Sequence, residues 1–338
     1  MADPMPTQPA AAVLGGGVLG AAYYAQFLSE EFLAGYLPAG GAAVKIAVVG
    51  GGDVADRFLD GLQAASVARG CHYVALSAET TRLHMVDQLF FQVARSVDWT
   101  EVAARLVRTA YAAASFPAPE GLLAVADVAD HHDVEPRELY RSVRRQLEQR
   151  LLGDVRLARE MRRAMLRLAQ HALGAGDVDG GERQAVLGWL RGEKVPLRDL
   201  RPALVYSRIG RHNARSMLLS LARVLQQTGY GGLVLHLDYT RLAESRRPPL
   251  PERTGFYYTK AATLDAYELV RQLIDDTDDL HGVLVVAMLP PELLTDETRG
   301  LSAYSALQLR VADEVRDRRR VNPFAALVRL EVRLEAVR

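Results

Sequence analysis

An apolar run, Val44-Lys45-Ile46-Ala47-Val48-Val49, breaks into Gly50-Gly51-Gly52 and continues as Asp53-Val54-Ala55-Asp56-Arg57-Phe58-Leu59. This is the pattern of a strand that turns directly into a helix. Glycines at such a turn let backbone N–H groups converge on an anion. The phosphate loop G-x-x-x-x-G-K-[ST] adds a Lys for the terminal phosphates and a hydroxyl for Mg²⁺. If Phe58 and Leu59 open the buried helix face, Val54 stands at the second Gly, Ala55 at the Lys and Asp56 at the hydroxyl. The only nearby Lys, Lys45, lies inside the strand, so no shift of register restores the motif. The turn reads either as ordinary punctuation between strand and helix or as a phosphate loop stripped of its chemistry. In the second reading Gly50, Gly51, Gly52, Asp53 and Asp56 are the remnant of a nucleotide site.

A second carboxylate belongs to the same question. Leu233-Val234-Leu235-His236-Leu237-Asp238 is nearly all apolar and ends in an acid, as a buried parallel strand would. In nucleotide hydrolases an Asp there assists Mg²⁺, and the acidic residue after it polarises the attacking water. Here Tyr239 and Thr240 follow, so the polarising carboxylate is missing, and Asp238 serves equally well as a cap.

The strongest charge feature is a pair of arginine-rich helices. Arg137, Arg141, Arg144, Arg145 and Arg150 lie on one, and Arg156, Arg159, Arg162, Arg163 and Arg167 on the next. Spacings of three and four put Arg156, Arg159, Arg163 and Arg167 along one stripe that would suit a phosphate backbone. Glu135, Glu138, Glu148, Asp154 and Glu160 suit a solvated face instead, and no aromatics interleave for base stacking. His131-His132-Asp133 offers metal-ligating atoms, but adjacent side chains diverge on a helix. Asp275, Asp276, Asp278 and Asp279 lack the glycine-centred spacing of a cation loop and read as a solvated helix end. Cys71 opens an apolar strand and reads as a small buried hydrophobe.

The elements that must position these residues alternate. Residues 1–20 form a loose N-terminal tail. An amphipathic helix follows over 21–36, with Tyr24, Phe27, Leu28, Phe32 and Leu33 at helical spacing. A helix over 57–68, a strand over 71–77 and a largely helical stretch over 81–114, with a break near Asp98, come after the glycine turn. Residues 122–171 are wholly helical. Further on come a helix over 213–227, the strand ending at Asp238, a helix over 264–274 capped by Asp265, an apolar strand over 282–289, a basic turn at Arg316–Arg320 and an alternating edge strand over 325–334. Alternating strand and helix argue a parallel sheet covered on both faces. The expected fold is α/β: a P-loop NTPase-like, mainly parallel sheet flanked by helices, with an inserted helical subdomain. It divides into 21–115 and 203–338 as the two parts of the core and 116–202 as the insert, with the strand from Val44 and the strand ending at Asp238 side by side.

Composition bounds the function. The 338 residues are 49% hydrophobic and 24% charged, the profile of a globular protein able to bury a core. Lys+Arg and Asp+Glu both number 41, so no global field draws the chain to nucleic acid or membrane. One cysteine excludes an internal disulfide framework and fits a reducing cytosol. The uncharged stretch from Ala10 to Leu28 lacks preceding basic residues and holds four glycines, against a signal peptide or membrane anchor.

Several segments, in order along the chain, resemble the BREX-system ATP-binding family, the BrxD-like P-loop proteins of bacterial defence loci. They are Tyr36-Leu37-Pro38-Ala39-Gly40-Gly41, Trp189-Leu190-Arg191-Gly192-Glu193, Asn213-Ala214-Arg215-Ser216-Met217-Leu218 and Gly229-Tyr230-Gly231-Gly232-Leu233-Val234-Leu235. Tyr267-Glu268-Leu269-Val270-Arg271-Gln272-Leu273-Ile274-Asp275 and Asn322-Pro323-Phe324-Ala325 complete the series. The resemblance implies an AAA-like ATPase core serving foreign-DNA restriction in the cytoplasm, with ATP and Mg²⁺ as cofactors. The family's phosphate-loop Lys and Thr fall on Ala55 and Asp56, and its acidic pair on Asp238 and Tyr239, so only Asp238 carries over. The family continues into a helical lid, whereas this sequence stops at Arg338, so the lid side of a nucleotide pocket is expected to be missing.

These departures lead us to expect a pseudo-ATPase, with no catalytic residues, no metal site and at most weak ATP/Mg binding. It would be an interaction subunit or regulator pairing with an active ATPase paralogue or another defence component, as an oligomer or hetero-oligomer away from membranes. The rivals are an ATP-binding protein with weak residual activity and a DNA-binding module using the arginine-rich insert. By the same resemblance, Arg208, Arg211 and Arg215 are candidates to reach a partner's phosphates. They equally suit capping and solvating the helix that starts at Asn213.

Overall fold

A computed structural model describes residues 18–312 and 321–332. The basic turn at 316–320, most of the N-terminal tail and the end of the last strand lie outside the described residues. The chain divides into two compact units: one built from the described residues up to Met85 and from Gly231 onward, the other from Val86 to Tyr230.

The first unit holds one sheet of six parallel strands: β1 Val18–Gly20, β2 Ala42–Val49, β3 His72–Ser77, β4 Leu233–Asp238, β5 Val283–Leu289 and β6 Leu327–Glu331. Their spatial order is β1-β6-β2-β5-β4-β3. A parallel sheet with both faces covered needs strands that are apolar on both sides. β5 meets this fully, since all seven of its residues are buried.

That burial explains the first correction. β2 and β4 are not adjacent; β5 lies between them, pairing Val44 with Val285 on one side and Leu235 with Val285 on the other. A strand with no exposed residue takes the interior of the sheet, and β4 is displaced one place outward. The second correction concerns β6, which is an internal strand between β1 and β2. Its outer neighbour, Val18–Gly20, was expected to be tail; three residues that follow Gly15-Gly16-Gly17 and end in glycine carry almost no strand signal.

Alternation assigns the two faces. Ala47, Val49, Val234, Leu284, Val286, Met288, Val328 and Leu330 form one cluster with Tyr24, Leu28, Phe32, Phe58 and Leu62. These come from helix Ala21–Phe27, its π-helical continuation Leu28–Tyr36 and helix Asp53–Ala68. Complete burial of a side chain such as Phe58 is worth about 1.5–3 kcal/mol. On the opposite face, helix Lys260–Asp275 packs on β2 and buries Ala266, Tyr267, Val270 and Leu273. This helix is capped by Thr259, whose Oγ1 accepts from the Ala262 N–H at 3.2 Å. Asp265 lies inside the helix instead of capping it.

The second unit is helical: Val86–Ser96, Trp99–Ala113, Val125–His131, Pro136–Leu152, Arg159–Ala172, Gly180–Leu190, Leu197–Leu200 and Ala214–Gln227. Its bounds lie outside the 116–202 of the sequence-based division on both sides. The break at Asp98 is an N-cap, with Oδ1 accepting from the backbone N–H groups of Thr100 (3.0 Å) and Glu101 (3.1 Å). Leu139, Val143, Leu147 and Leu151 recur at helical spacing on the buried side of Pro136–Leu152.

Candidate functional site: the glycine turn and the carboxyl edge of the sheet

Register places Ser77, Asp238, Met288, Ala47 and Val328 abreast, so β2, β3, β4 and β5 end at one edge of the sheet. Gly50-Gly51-Gly52 follows β2 at that edge. Two strand spacings separate β2 from β4, which puts Asp238 about 10 Å to the side of the β2 axis. The carboxyl edge of an open α/β sheet is where ligands bind in this class of fold, and Gly50, Gly51, Gly52 and Asp238 lie at this edge.

The turn itself is short. β2 ends at Val49 and the next helix starts at Asp53, leaving three residues. The phosphate-loop spacing takes six residues from its first glycine to its second. Gly52 makes the tight reversal with φ of +71°, a conformation that favours glycine, and its carbonyl accepts from the Asp56 N–H at 3.2 Å. Val54 and Ala55 pack against the apolar cluster that contains Tyr24, Phe58 and Leu62. The position expected for a cation therefore faces the core. Asp53 and Asp56 are exposed in the first helical turn, where the positive end of the helix dipole favours carboxylates. The same carboxylates repel phosphate. Lys45 is 5% exposed, and its Nζ donates to the carbonyls of Phe324 (2.5 Å) and Ala325 (3.2 Å) while lying over the Phe32 ring.

Asp238 is engaged locally. Its Oδ1 accepts from the Thr240 N–H (2.9 Å) and hydroxyl (2.6 Å), and its Oδ2 accepts from the Ser77 hydroxyl at 3.3 Å. This ties the end of β4 to the end of β3 and starts the turn at Thr240–Ala243. Tyr239, at the position of the missing water-polarising acid, is completely buried, its hydroxyl finds no hydrogen-bond partner among the described residues, and burial pushes its pKa up. Two residues before Asp238, His236 is 3% exposed, and neither ring nitrogen has a hydrogen-bond partner among the described residues. Burial pushes its pKa down to about 4, against a smaller upward pull from the Asp238 charge.

Mg²⁺-ATP asks for converging N–H groups, a cation at the terminal phosphates and a hydroxyl for the metal. The turn offers a three-residue loop, two carboxylates and a half-buried alanine packed against the apolar cluster, and these residues do not fit that ligand. The spacing Gly50, Gly52, Ala55 also matches the dinucleotide fingerprint G-x-G-x-x-[GA]. That motif needs a βαβ unit ending near an acid. Here β3 lies three places away from β2 and ends in Ser77.

The other sequence candidates lie in the helical unit. Arg156 stands before helix Arg159–Ala172, not on it, so the stripe consists of Arg159, Arg163 and Arg167. Arg167 is taken by Glu182 through a bidentate pair (Nε–Oε1 2.5 Å, Nη2–Oε2 2.9 Å) and also donates to Gln170. Arg163 donates to the Leu204 carbonyl at 2.6 Å and lies over Tyr206. Arg156 and Arg159 are exposed. Arg208 and Arg211 are exposed, while Arg215 is half-buried in the first turn of Ala214–Gln227. Asn213 orders the loop before that helix: its Nδ2 donates to the Arg208 carbonyl (3.2 Å) and its Oδ1 accepts from the Gly210 N–H (2.9 Å).

Among the described residues no group of His, Cys, Asp and Glu could hold a metal ion. His132 is held 2.9 Å from the Pro117 carbonyl. Cys71 is buried, with its thiol pushed up to about 11 by burial. No described helix is long and apolar enough to cross a membrane. One feature the sequence reading missed is a cluster of arginines on the loops after β3 and β4. The run from Arg246 to Pro251 is rich in proline, but the partner of Arg247 and Arg253 in this cluster, Arg82, is far away in sequence.

The parallel sheet, its covered faces and the glycine turn at its carboxyl edge define an α/β protein of the P-loop NTPase-like class. The family of the BREX system ATP-binding protein BrxC/D matches residues 123–336, more than half of the chain, and the chain belongs to that family. Membership places it in a bacterial defence system. The match includes Asp238 and begins after the glycine turn. No curated relative and no solved structure is similar enough to be matched.

Proposed function

We propose that this chain is a pseudo-ATPase: a non-hydrolysing P-loop-like subunit or regulator that pairs with an active ATPase or another component of its defence system. The observation that carries this reading is the three-residue turn with Ala55, partly buried against the apolar cluster, where the phosphate-binding Lys would stand. Phosphoryl transfer relies on positioning and charge stabilisation. The turn brings no cation, Tyr239 brings no general base, and Asp238 is occupied by Thr240 and Ser77.

A fold kept with its site chemistry gone serves assembly. The exposed Arg208 and Arg211, with Arg215 beside them in sequence, are then donors to a partner's nucleotide phosphates. The test is to mix the protein with the ATPase of the same defence locus. Complex formation by size-exclusion chromatography is followed together with ATP turnover. The proposal expects a complex and a change in the partner's turnover that Arg208→Ala or Arg211→Ala reduces. Absence of both complex and stimulation overturns it.

A further inference from the structure

A second site lies at the carboxyl edge of the sheet, beside the ends of β3 and β4. A surface cavity of about 290 Å³ is lined by Arg82, Arg241, Arg247 and Arg253, with Phe256 and Tyr257 among its walls. Arg82 comes from the loop after β3, the others from the loop after β4.

The framework of this cavity is fixed by hydrogen bonds between the two loops. The Tyr258 hydroxyl donates to the Thr81 carbonyl (2.6 Å) and accepts from the Leu83 N–H (3.0 Å). The Phe256 N–H donates to the Glu79 carbonyl at 2.8 Å. Gly255 has φ of +60°, and a Cβ there would meet the Glu79 carbonyl oxygen at 2.4 Å, so the two loops touch at a position that only glycine fills.

The charge is less committed than the framework. Arg241 is spent on Glu244 and on the carbonyls of Thr254 and Phe256. Among the described residues, Arg82, Arg247 and Arg253 form no ion pair with a carboxylate. Arg253 donates once, to the Pro248 carbonyl, and all three are exposed. Four arginines and no acid line the cavity; Glu244 is paired with Arg241 and Glu79 abuts Gly255, so the lining stays positive. Arg82 lies over the Phe256 ring, 4.9 Å from its centroid, which holds one guanidinium plane against an aromatic wall.

We infer that this cavity binds a phosphate-bearing strand, a segment of single-stranded nucleic acid. Uncommitted arginines hold its phosphates, and the Arg82–Phe256 pair with Tyr257 offers flat surfaces to its bases. Positive grooves with aromatic platforms are how single strands are held without sequence preference. The cavity lies at the small end of sites that enclose a whole ligand, about 300–1,000 Å³, which favours one unit of a strand over an engulfed nucleotide. This site uses none of the residues of the glycine turn and none of the arginines of the helical unit.

The experiment measures fluorescence anisotropy of a labelled oligo-dT strand across a salt series, with calorimetric titration of ATP and of inorganic phosphate as parallel arms. The expected result is oligo-dT binding that weakens several-fold in Arg247→Ala and in Arg253→Ala and more in Arg247→Glu. The slope of log K against log salt should fall by about 0.7 for each phosphate contact removed. The Arg159→Ala variant should bind as wild type does, and unchanged circular dichroism melting shows that the variants fold. No binding at low salt, binding unchanged by all the loop variants, or loss in Arg159→Ala instead overturns the inference. So does binding of ATP or inorganic phosphate, abolished by the same loop variants, without oligo-dT binding. None of these outcomes depends on ATP hydrolysis, so this inference and the pseudo-ATPase reading fail separately.

Discussion

Asp238 holds Thr240 through a single carboxylate oxygen, which accepts both the backbone N–H at 2.9 Å and the hydroxyl at 2.6 Å. This is a turn-forming contact at the end of a central strand, and it gives the carboxylate a structural task. Asp238→Ala removes both bonds and should lower unfolding free energy by about 1–2 kcal/mol. Asp238→Asn keeps an acceptor there and should cost less than half as much. Urea unfolding of the two variants checks this; equal losses for both would mean that charge, not turn geometry, is what Asp238 supplies.

His236 makes stability depend on pH. Its folded pKa of about 4 lies below the ordinary value of 6.5, with desolvation as the main cause. Between those values the unfolded state binds more protons, so stability falls as pH drops through 6.5 towards 4. From pH 7 to pH 5 this amounts to about 2 kcal/mol. His72, also shifted down by burial, adds in the same direction. Glu268, held down at about 2 mainly by the Arg271 hydrogen bonds, titrates below this window. His236→Leu should therefore flatten the profile between pH 7 and 5 without abolishing it. A variant as pH-sensitive as wild type would contradict the assignment.

The arginine stripe divides by commitment. Glu182 has a side chain only 7% exposed, paired with an Arg167 that is 23% exposed. Arg167→Ala leaves a buried carboxylate unpaired and should cost about 2–4 kcal/mol, toward the lower part of the buried-pair range because the Arg reaches solvent. Arg159→Ala should stay within about 0.5 kcal/mol of wild type. Thermal melts of the two variants side by side decide whether the stripe is structural at Arg167 and free at Arg159.

Leu204 carries backbone strain without packing in return. Its φ is +57°, its side chain is 49% exposed, and the Val205 N–H bonds back to the Leu200 carbonyl at 3.2 Å, a helix-ending geometry that glycine normally fills. Leu204→Gly should be more stable than Leu204→Ala by about 1 kcal/mol, because only glycine relieves the left-handed conformation. Chemical denaturation of the pair measures it, and an Ala variant at least as stable as the Gly variant would contradict this reading.

What could be read from the sequence follows from how each element is buried. β4 and β5 stand within a residue of their expected bounds because strands apolar on both faces have a continuous signature. Their order was not legible. A parallel crossover can return on either side of its parent strand, and nothing local in Val283–Leu289 says that it separates β2 from β4. β1 is too short and glycine-flanked to signal pairing. At the glycine turn, residue types revealed the missing Lys and hydroxyl, while the shortness of the loop and the inward packing of Ala55 needed three dimensions. The arginine cavity escaped because it joins Arg82 to a loop beginning more than a hundred residues later.

The most direct test of the pseudo-ATPase account is steady-state ATP hydrolysis by the purified protein with Mg²⁺, measured beside Asp238→Ala. A turn without its Lys, hydroxyl and general base predicts phosphate release at the level of the protein-free blank for both proteins. Turnover above the blank in wild type that disappears in Asp238→Ala would show a working nucleotide site at this edge of the sheet and contradict the account.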